Sequence, residues 1–327
     1  MLTGSKVLSA PSSYTYKLTD EQGEALGKII RELHYEMREV PHTRFAGARD
    51  KVNVALYNSG KLVVQGKGAK EFIEFILEPQ VLMEAKLGYE EVLNPDLLMP
   101  RIGVDESGKG DFFGPLCIAG VYVNGDIVQE WKAKGIKDSK NVSSDKKIAD
   151  LTEIIRDTPG AVCDVVSIGN EAYNRLHKTM GSVNKVLAWG HARVIENLMG
   201  KRYQMNPEPI RAISDQFAAN KATVGKALMS LGREIELIQR HKAEEDIAVA
   251  AASILARNEF VTRLKALGDK HELEFPKGAS KKVEAVGREF VDKVGADQLP
   301  AVAKMHFRTS YRVRGMEEPP KQEWRKR

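Results

Sequence analysis

The chain has 327 residues, of which 42% are hydrophobic and 29% are charged, and its formal net charge at pH 7 is +5. This length allows two domains, and the composition is that of an ordinary globular protein with a slight preference for polyanionic partners. No apolar run reaches the roughly 18 residues of a membrane-spanning helix, and the first residues do not form a signal peptide. These features predict a cytoplasmic protein with no membrane partner.

The first 87 residues predict a small α+β domain. A capping box begins at Thr19, and apolar residues at helical spacing predict a helix to about Val40. Strands are predicted over 52–57 and 61–65 with a tight turn between them, followed by a second helix over 69–77.

Polar and cationic side chains follow this predicted hairpin. Such side chains are typical of a surface that holds a sugar-phosphate backbone, although they are equally common on any strand that faces solvent. The candidate nucleic-acid contacts are Asn53, Ser59, Lys61 and Lys67.

Residues 88–100 contain two prolines and no clear periodicity, and they predict a linker between a first domain, 1–87, and a second domain, 101–327. In the second domain predicted strands alternate with predicted helices, which favours an α/β layer with a mixed central sheet.

Two adjacent acids, Asp105 and Glu106, end the first predicted strand of the second domain, and the turn Gly108-Lys109-Gly110 follows them. Because successive strand residues point to opposite faces, both acids reach one site only if the chain bends there, and we expect the glycines to supply that bend. Paired acids beside an unobstructed backbone and a lysine suit metal ions and a phosphate ester, whereas a solvated turn is the simpler interpretation of the acids alone.

A phosphate-binding loop is a further interpretation of this segment, because Gly103-x4-Gly108-Lys109 fits the first part of the Walker A pattern. Gly110, however, stands where a serine or threonine should hold magnesium, and two acids lie within the loop. This interpretation is therefore disfavoured.

More acids occur downstream. Asp215 ends an apolar strand and is topologically able to join Asp105, although a turn or helix cap is the commoner role for such a residue. Glu244, Glu245 and Asp246 precede an alanine-rich helix, where acids commonly just complement the helix dipole. Lys140, in the polar run Asp138-Ser139-Lys140, is a candidate phosphate contact.

Several of these segments resemble a known family. GVDESGKGDFFGPLCIAGVYV resembles the first catalytic segment of the type 2 ribonucleases H, and its FFGP form is similar to that of ribonuclease HIII. The DSK, KAE…AVAAASILAR, FPKGAS and KMHFR segments match the same family. VNVALYNSGKLVVQGKG resembles one repeat of the TATA-binding-protein-like domain at the front of ribonuclease HIII.

The resemblance implies a ribonuclease H-like fold preceded by a small TATA-binding-protein-like domain. It implies a monomeric endonuclease that hydrolyses the RNA strand of RNA/DNA hybrids with two Mg²⁺ or Mn²⁺ ions and leaves 5′-phosphate and 3′-hydroxyl ends. The implied catalytic and metal-binding residues are Asp105, Glu106, Asp215 and Glu244. The implied contacts to the ribose and phosphates are Ser107, Gly108, Lys109, Gly110 and Lys140.

Some alternatives stay open. The loop before Ser253 is about one residue shorter than is usual in the family, so Glu245 and Asp246 remain candidates for the fourth acid. Ribonuclease HII-like cleavage at single ribonucleotides, another ribonuclease H-like nuclease or integrase, and a non-catalytic nucleic-acid-binding protein are the competing functions.

Overall fold

The computed structural model describes residues 13–84, 95–136, 144–217 and 222–318. The chain divides into two compact units, Met1–Leu97 and Leu98–Arg327, and each has its own hydrophobic core. The division falls within the predicted linker 88–100, of which residues 88–94 lie outside the described residues.

The first unit contains a five-stranded antiparallel sheet in the order β1-β5-β4-β3-β2. Its strands are β1 (Ser13–Lys17), β2 (Glu36–Arg38), β3 (Thr43–Arg49), β4 (Val52–Tyr57) and β5 (Lys61–Gln65). The β4–β5 hairpin has the bounds that the sequence predicted. Its alternate residues are buried, among them Val54, Leu56 and Val64, and these pack into the core of the unit.

Two helices accompany this sheet. Helix α1 (Asp20–Glu32) begins with the predicted capping box, in which Thr19 and Gln22 satisfy each other's backbone amides. Helix α2 (Ala69–Phe72) continues as a π-helical segment, Ile73–Leu82.

The prediction that the first helix runs to Val40 was wrong. The chain leaves the helix through His34, which has a positive φ of 55°. Glu36–Arg38 then pairs with Ala46–Ala48 of β3 as an extra strand. Strand pairing across the chain therefore overrides the local helical spacing of Met37.

The second unit is built on a five-stranded mixed sheet in the order β10-β9-β6-β7-β8. Its strands are β6 (Arg101–Ser107), β7 (Leu116–Val123), β8 (Val162–Ile168), β9 (Arg211–Asp215) and β10 (Glu236–Arg240). Strands β6, β7 and β8 pair antiparallel, whereas β9 pairs parallel with β6 and with β10. The mixed α/β architecture predicted from the sequence is confirmed.

Helices occupy the connections of this unit. They are α3 (Gly125–Ala133), α4 (Asp145–Asp157), α5 (Asn170–Met180), α6 (Val183–Met199), α7 (Ala222–Ala227), α8 (Ile247–His271), α9 (Lys281–Val294), α10 (Leu299–Val302) and α11 (Thr309–Val313). None of the helices in the described ranges is long and apolar enough to cross a membrane.

Helices α8 and α6 pack on opposite faces of the sheet, and glycines let both approach closely. A Cβ added to Gly103 of β6 would lie 2.2 Å from the carbonyl carbon of Ala248, the second residue of α8. A Cβ added to Gly120 of β7, which pairs with Val104, would lie 2.4 Å from Val194 of α6. Alternate residues of β6 therefore point to α8 and to α6 in turn.

A buried ion pair fixes the start of α8 to the start of β6. The side chains of Arg101 and Asp246 are 2% and 4% exposed, and Arg101 Nε lies 2.8 Å from Asp246 Oδ2. Asp246 is also the N-cap of α8, because its Oδ1 accepts a hydrogen bond from the amide of Ala248 at 2.9 Å. The carboxylate therefore links the helix and the strand.

This geometry predicts that Asp246 is needed for stability. Replacing it with alanine removes the carboxylate that balances the charge of the buried Arg101 guanidinium, and we expect the free energy of unfolding to fall by about 3–5 kcal/mol. The matched control is Glu245→Ala, which removes an exposed acid from the same turn and should change this free energy by less than about 0.5 kcal/mol. Urea denaturation measures both, and equal midpoints for the two variants would contradict the structural role of Asp246.

Candidate active site

The side chains of Asp105 and Glu106 lie near the end of β6 and point to opposite faces of the sheet. Asp105 makes a hydrogen bond with Ser253 of α8, whereas Glu106 Oε2 lies 3.0 Å from Nε2 of His191 on α6. The prediction that the glycines bend the chain at these acids was wrong. Strand β6 stays paired with β7 as far as Ser107, and the positive φ begins at Gly108, at 92°.

Asp215 lies beside Asp105 at the same edge of the sheet. The last residues that pair between β6 and β9 are Val104 and Ser214, so each acid is the next residue along its strand. Neighbouring strands lie about 4.8 Å apart, which places the two backbones close together. Ile213, two residues before Asp215, packs against Val249 of α8, and alternation then turns Asp215 toward the same side as Asp105.

The three acids that precede α8 have different environments. A single 3₁₀ turn, Ala243–Glu245, leads into the helix, and Ala243 packs against Ile213 of β9. Glu244 is half-buried, Glu245 is exposed, and Asp246 is buried with Arg101. The turn that contains Glu244 therefore lies on the side of the sheet that Asp105 and Asp215 face, while the carboxylate of Asp246 is already engaged.

Burial is the first cause of the unusual electrostatics of Asp105, and the neighbouring charge of Glu106 is the second. Together they raise the pKa of Asp105 to about 7, although the hydrogen bond with Ser253 acts in the opposite direction. The protein thus holds a carboxyl group whose charged form is disfavoured until positive charge is brought near it.

Burial acts on Glu106 in the same direction, but its partners outweigh burial. The hydrogen bond and charge of His191, followed by the ammonium of Lys109, lower the pKa of Glu106 below its usual value. Lys109 Nζ lies 3.7 Å from Glu106 Oε1 and 5.4 Å from the ring centroid of Phe217. Glu106 is therefore the ionised member of the adjacent pair.

The two glycines of the turn differ, because only glycine fits at position 108, whereas there is space for a side chain at position 110. A Cβ on Gly108 would lie 2.3 Å from the carbonyl oxygen of Pro115, and its φ is positive, so only glycine fits. Gly110 is exposed and has no atom within 4 Å of the position of a Cβ. The backbone at Gly110 is thus open to a ligand.

The C-terminal part of the chain fixes this loop from behind. Lys304 is fully buried, and its Nζ donates to the carbonyl oxygens of Asp111 at 2.9 Å and Gly114 at 2.6 Å. The amide of Gly278 donates to Asp111 Oδ1 at 2.6 Å. The KMHFR and FPKGAS segments therefore hold the loop in place.

Two further side chains of those segments, Lys277 and His306, have partners within the protein. Lys277 forms an ion pair with Asp145 at 2.9 Å. His306 stacks on His177 at 4.7 Å, and burial lowers its pKa to about 4. Lys140 lies outside the described residues.

The predicted contacts of the first unit are all exposed. Asn53 and Lys61 lie on the face of the sheet that the helices leave open, and Ser59 and Lys67 lie in the adjoining turns. The centre of this open face is formed by small side chains, because Ala48 and Ala46 pair with Asn53 and Ala55. Such a surface allows a wide ligand to approach the sheet.

The carboxylates are compatible with a hard divalent cation, because all of their donor atoms are oxygens. A cation would also stabilise the negative charge of Asp105, which burial and Glu106 disfavour. Within the described residues, no three histidine, cysteine, aspartate or glutamate side chains are grouped closely enough to hold a metal ion as they stand. Metal binding would therefore have to draw the acids closer together.

Sequence reasoning missed His191. This residue is completely buried in the middle of α6, and no metal-ligand spacing or motif marks it. A signal does exist in its neighbour, because Gly190 lets α6 approach Ile118 of β7, which pairs with Glu106. That signal becomes readable only once the strand register is known.

Two family models match the chain. The model described as ribonuclease HII covers residues 102–310, and a model described as a domain of unknown function, DUF3378, covers residues 16–84.

Curated relatives match almost the whole chain. Ribonuclease HIII of Chlamydia pneumoniae is 43% identical over 303 residues, which is 91% of this chain and 97% of the relative. Ribonuclease HIII of Chlamydia trachomatis is 40% identical over 309 residues, which is 93% of this chain and 98% of the relative.

Solved structures agree with these relatives. Bst-RNase HIII in complex with Mn²⁺ has a TM-score of 0.63 and 25% identity, and the match covers 93% of this chain and 98% of that one. Aquifex aeolicus RNase H3 matches with a TM-score of 0.52 and 22% identity over 90% and 99% of the two chains, which supports the fold. The implied ribonuclease H-like fold and the recognition of the family are thereby confirmed, and the chain belongs to the ribonuclease HIII family of type 2 ribonucleases H.

Proposed function

We propose that this protein is an endonuclease that hydrolyses the RNA strand of RNA/DNA hybrids and leaves 5′-phosphate and 3′-hydroxyl ends. The observation that carries the proposal is that Asp105, with Glu106 next to it, and Asp215 end neighbouring strands at one edge of the central sheet, in a chain 40–43% identical to ribonucleases HIII. An acidic strand edge next to an exposed glycine backbone suits hydrolysis of a phosphodiester.

Asp105, Glu106, Asp215 and Glu244 are the residues that would hold two Mg²⁺ or Mn²⁺ ions. When bound, such ions activate water and stabilise the leaving oxygen. Support comes from the raised pKa of Asp105, whose charged form burial and the neighbouring Glu106 disfavour, and from the related Bst-RNase HIII, whose structure contains Mn²⁺.

Glu244 is the best candidate for the fourth acid. Asp246 forms the buried pair with Arg101 and caps α8, so its carboxylate is occupied. Glu245 is exposed, whereas Glu244 is half-buried in a turn that packs on β9.

We propose that the segment Ser107–Gly110 recognises the ribose. Distinguishing RNA from DNA requires contact with the 2′-hydroxyl, and the exposed backbone of Gly110 offers hydrogen-bonding groups that no side chain covers. We assign Lys109 and Lys140 to the phosphates.

The first unit, through about residue 87, is the proposed platform for the hybrid. Its open sheet face combines small central residues with polar and cationic ones, which suits contact with a nucleic-acid backbone and not with base edges.

We propose that the protein acts as a monomer and prefers runs of ribonucleotides. A duplex with one embedded ribonucleotide tests that preference, and equal cutting of it would favour ribonuclease HII-like behaviour.

The first functional prediction concerns pH and cations. Asp105 has a pKa of about 7 when folded against 3.8 ordinarily. Between these values the folded state keeps a proton that the unfolded chain loses. The contribution of Asp105 to the free energy of unfolding therefore falls as pH rises, by at most about 1.4 kcal/mol per pH unit.

The measurement is urea denaturation of the wild type and of Asp105→Asn from pH 4 to 8 in EDTA. The difference between the two should slope downward with rising pH, and saturating MnCl₂ should reverse the loss for the wild type alone. A flat difference in EDTA would contradict the assigned electrostatics.

The second prediction concerns turnover. Glu244→Gln should lower the cleavage rate of an RNA/DNA hybrid by about 100-fold or more, because several kcal/mol of transition-state stabilisation is removed and each 1.4 kcal/mol is worth tenfold. The adjacent Glu245→Gln carries the same change of charge and should cleave within about twofold of the wild type.

Matched RNA/DNA, DNA/DNA and RNA/RNA duplexes, each with MgCl₂ or MnCl₂, complete this assay. Cleavage confined to the RNA strand of the hybrid is the expected result. Cleavage of DNA/DNA would support another ribonuclease H-like nuclease, and no cleavage with either cation would support a non-catalytic nucleic-acid-binding protein.

The third prediction concerns the first unit. Lys61→Glu reverses a charge on the open sheet face, so it should raise the KM for the hybrid about threefold to tenfold with little change in kcat. The control is Lys70→Glu, the same change at an exposed position of α2. Equal KM values for the two variants would argue against the open face as the platform.

A further inference from the structure

We infer that His191 is a positioning residue that holds the carboxylate of Glu106 in the orientation needed for cation binding. This inference rests on the proposed function, because it concerns one of the four proposed ligands.

The fold places His191 against Glu106 through two glycine contacts. A Cβ on Gly190 would lie 2.7 Å from Ile118, and a Cβ on Gly120 would lie 2.4 Å from Val194. Because Ile118 pairs with Glu106 across β6 and β7, the close approach of α6 brings the residue after Gly190 to that acid.

The two carboxylate oxygens of Glu106 have different partners. His191 Nε2 lies 3.0 Å from Oε2, while Lys109 of the glycine turn lies 3.7 Å from Oε1. The side chain of Glu106 is only 12% exposed. One oxygen is thus fixed from the α6 side, and the other is directed toward the turn that we propose contacts the ribose.

Burial of an imidazole at this position is not explained by core packing. His191 is 0% exposed, and among the residues that the structure describes its Nδ1 has no hydrogen-bond partner. An aliphatic side chain would fill the space without burying an unpaired polar atom. The hydrogen bond with Glu106 is the interaction that a histidine supplies and an aliphatic residue does not.

The ring is also held in place. The ring centroid of Phe217, two residues after Asp215, lies 4.9 Å from the imidazole centroid of His191, and the two ring planes make an angle of 57°. Lys109 Nζ lies over the ring of Phe217, 5.4 Å from its centroid. His191, Phe217 and Lys109 therefore form a small cluster that connects Glu106 to the loop after β9.

The test compares His191→Leu, which removes the donor, with His191→Gln, whose amide nitrogen reaches about as far as Nε2. Binding of MnCl₂ is measured by calorimetry, and hybrid cleavage is measured in parallel. We expect His191→Leu to weaken Mn²⁺ binding and kcat by about 10–100-fold with the KM for hybrid unchanged, and His191→Gln to recover most of both losses.

A cycle with Glu106→Gln checks that the effect passes through this acid. His191→Leu should weaken Mn²⁺ binding in the wild-type background but change it less than about twofold when Glu106 is already glutamine. If His191→Leu does not fold, as judged by its thermal transition, His191→Asn replaces it, because the shorter amide does not reach Glu106.

The inference would be overturned if His191→Leu bound Mn²⁺ and turned over hybrid as the wild type does. Equal losses of Mn²⁺ affinity and kcat in His191→Leu and His191→Gln would also overturn it. The same holds for a defect of full size in the Glu106→Gln background. A wild-type protein that neither binds Mn²⁺ nor cleaves hybrid would instead refute the proposed function itself.

Discussion

Two adjacent carboxylates, half-buried at the end of one strand, are the constraint on which the rest of the second unit depends. In a regular strand they must point to opposite faces, and each then needs its own surroundings. Asp105 faces α8 and has a raised pKa because burial and Glu106 disfavour its charge. Glu106 faces His191 of α6, which together with Lys109 of the glycine turn keeps it ionised. The sheet thus presents two acids at the same edge: the ionisation of Asp105 is disfavoured, and the negative charge of Glu106 is balanced by its neighbours.

Close packing of the helices makes this arrangement possible. Gly103 and Gly120 remove the side chains that would separate α8 and α6 from the sheet. Helix α8 is then held in register by the buried pair of Arg101 and Asp246. That pair has a second consequence, because it engages the carboxylate of Asp246 and leaves Glu244 and Glu245 as the other candidates among the acids before α8. One ion pair therefore supports both the stability of the unit and the assignment of its fourth acid.

Much of this could be predicted from the sequence. Alternating strands and helices indicated the mixed sheet, and an acid at the end of an apolar strand made Asp215 a candidate to join Asp105, next to which the strand register places it. The resemblance favoured Glu244 as the fourth acid but left Glu245 and Asp246 open, because Arg101 and Asp246 are 145 residues apart and their pairing depends on the tertiary fold. His191 was missed for the same reason. The predicted bend at Asp105 and Glu106 was wrong because ladder hydrogen bonds with β7 keep β6 straight through Ser107.

The central claim is that acids from both faces of the sheet edge bind divalent cations together. A crystal structure of the protein with MnCl₂ and a hybrid, collected at the manganese absorption edge, tests it most directly. Anomalous peaks should lie in contact with Asp105 and with at least two of Glu106, Asp215 and Glu244. Peaks bound only by other residues, with Asp105 and Asp215 remaining apart, would contradict it.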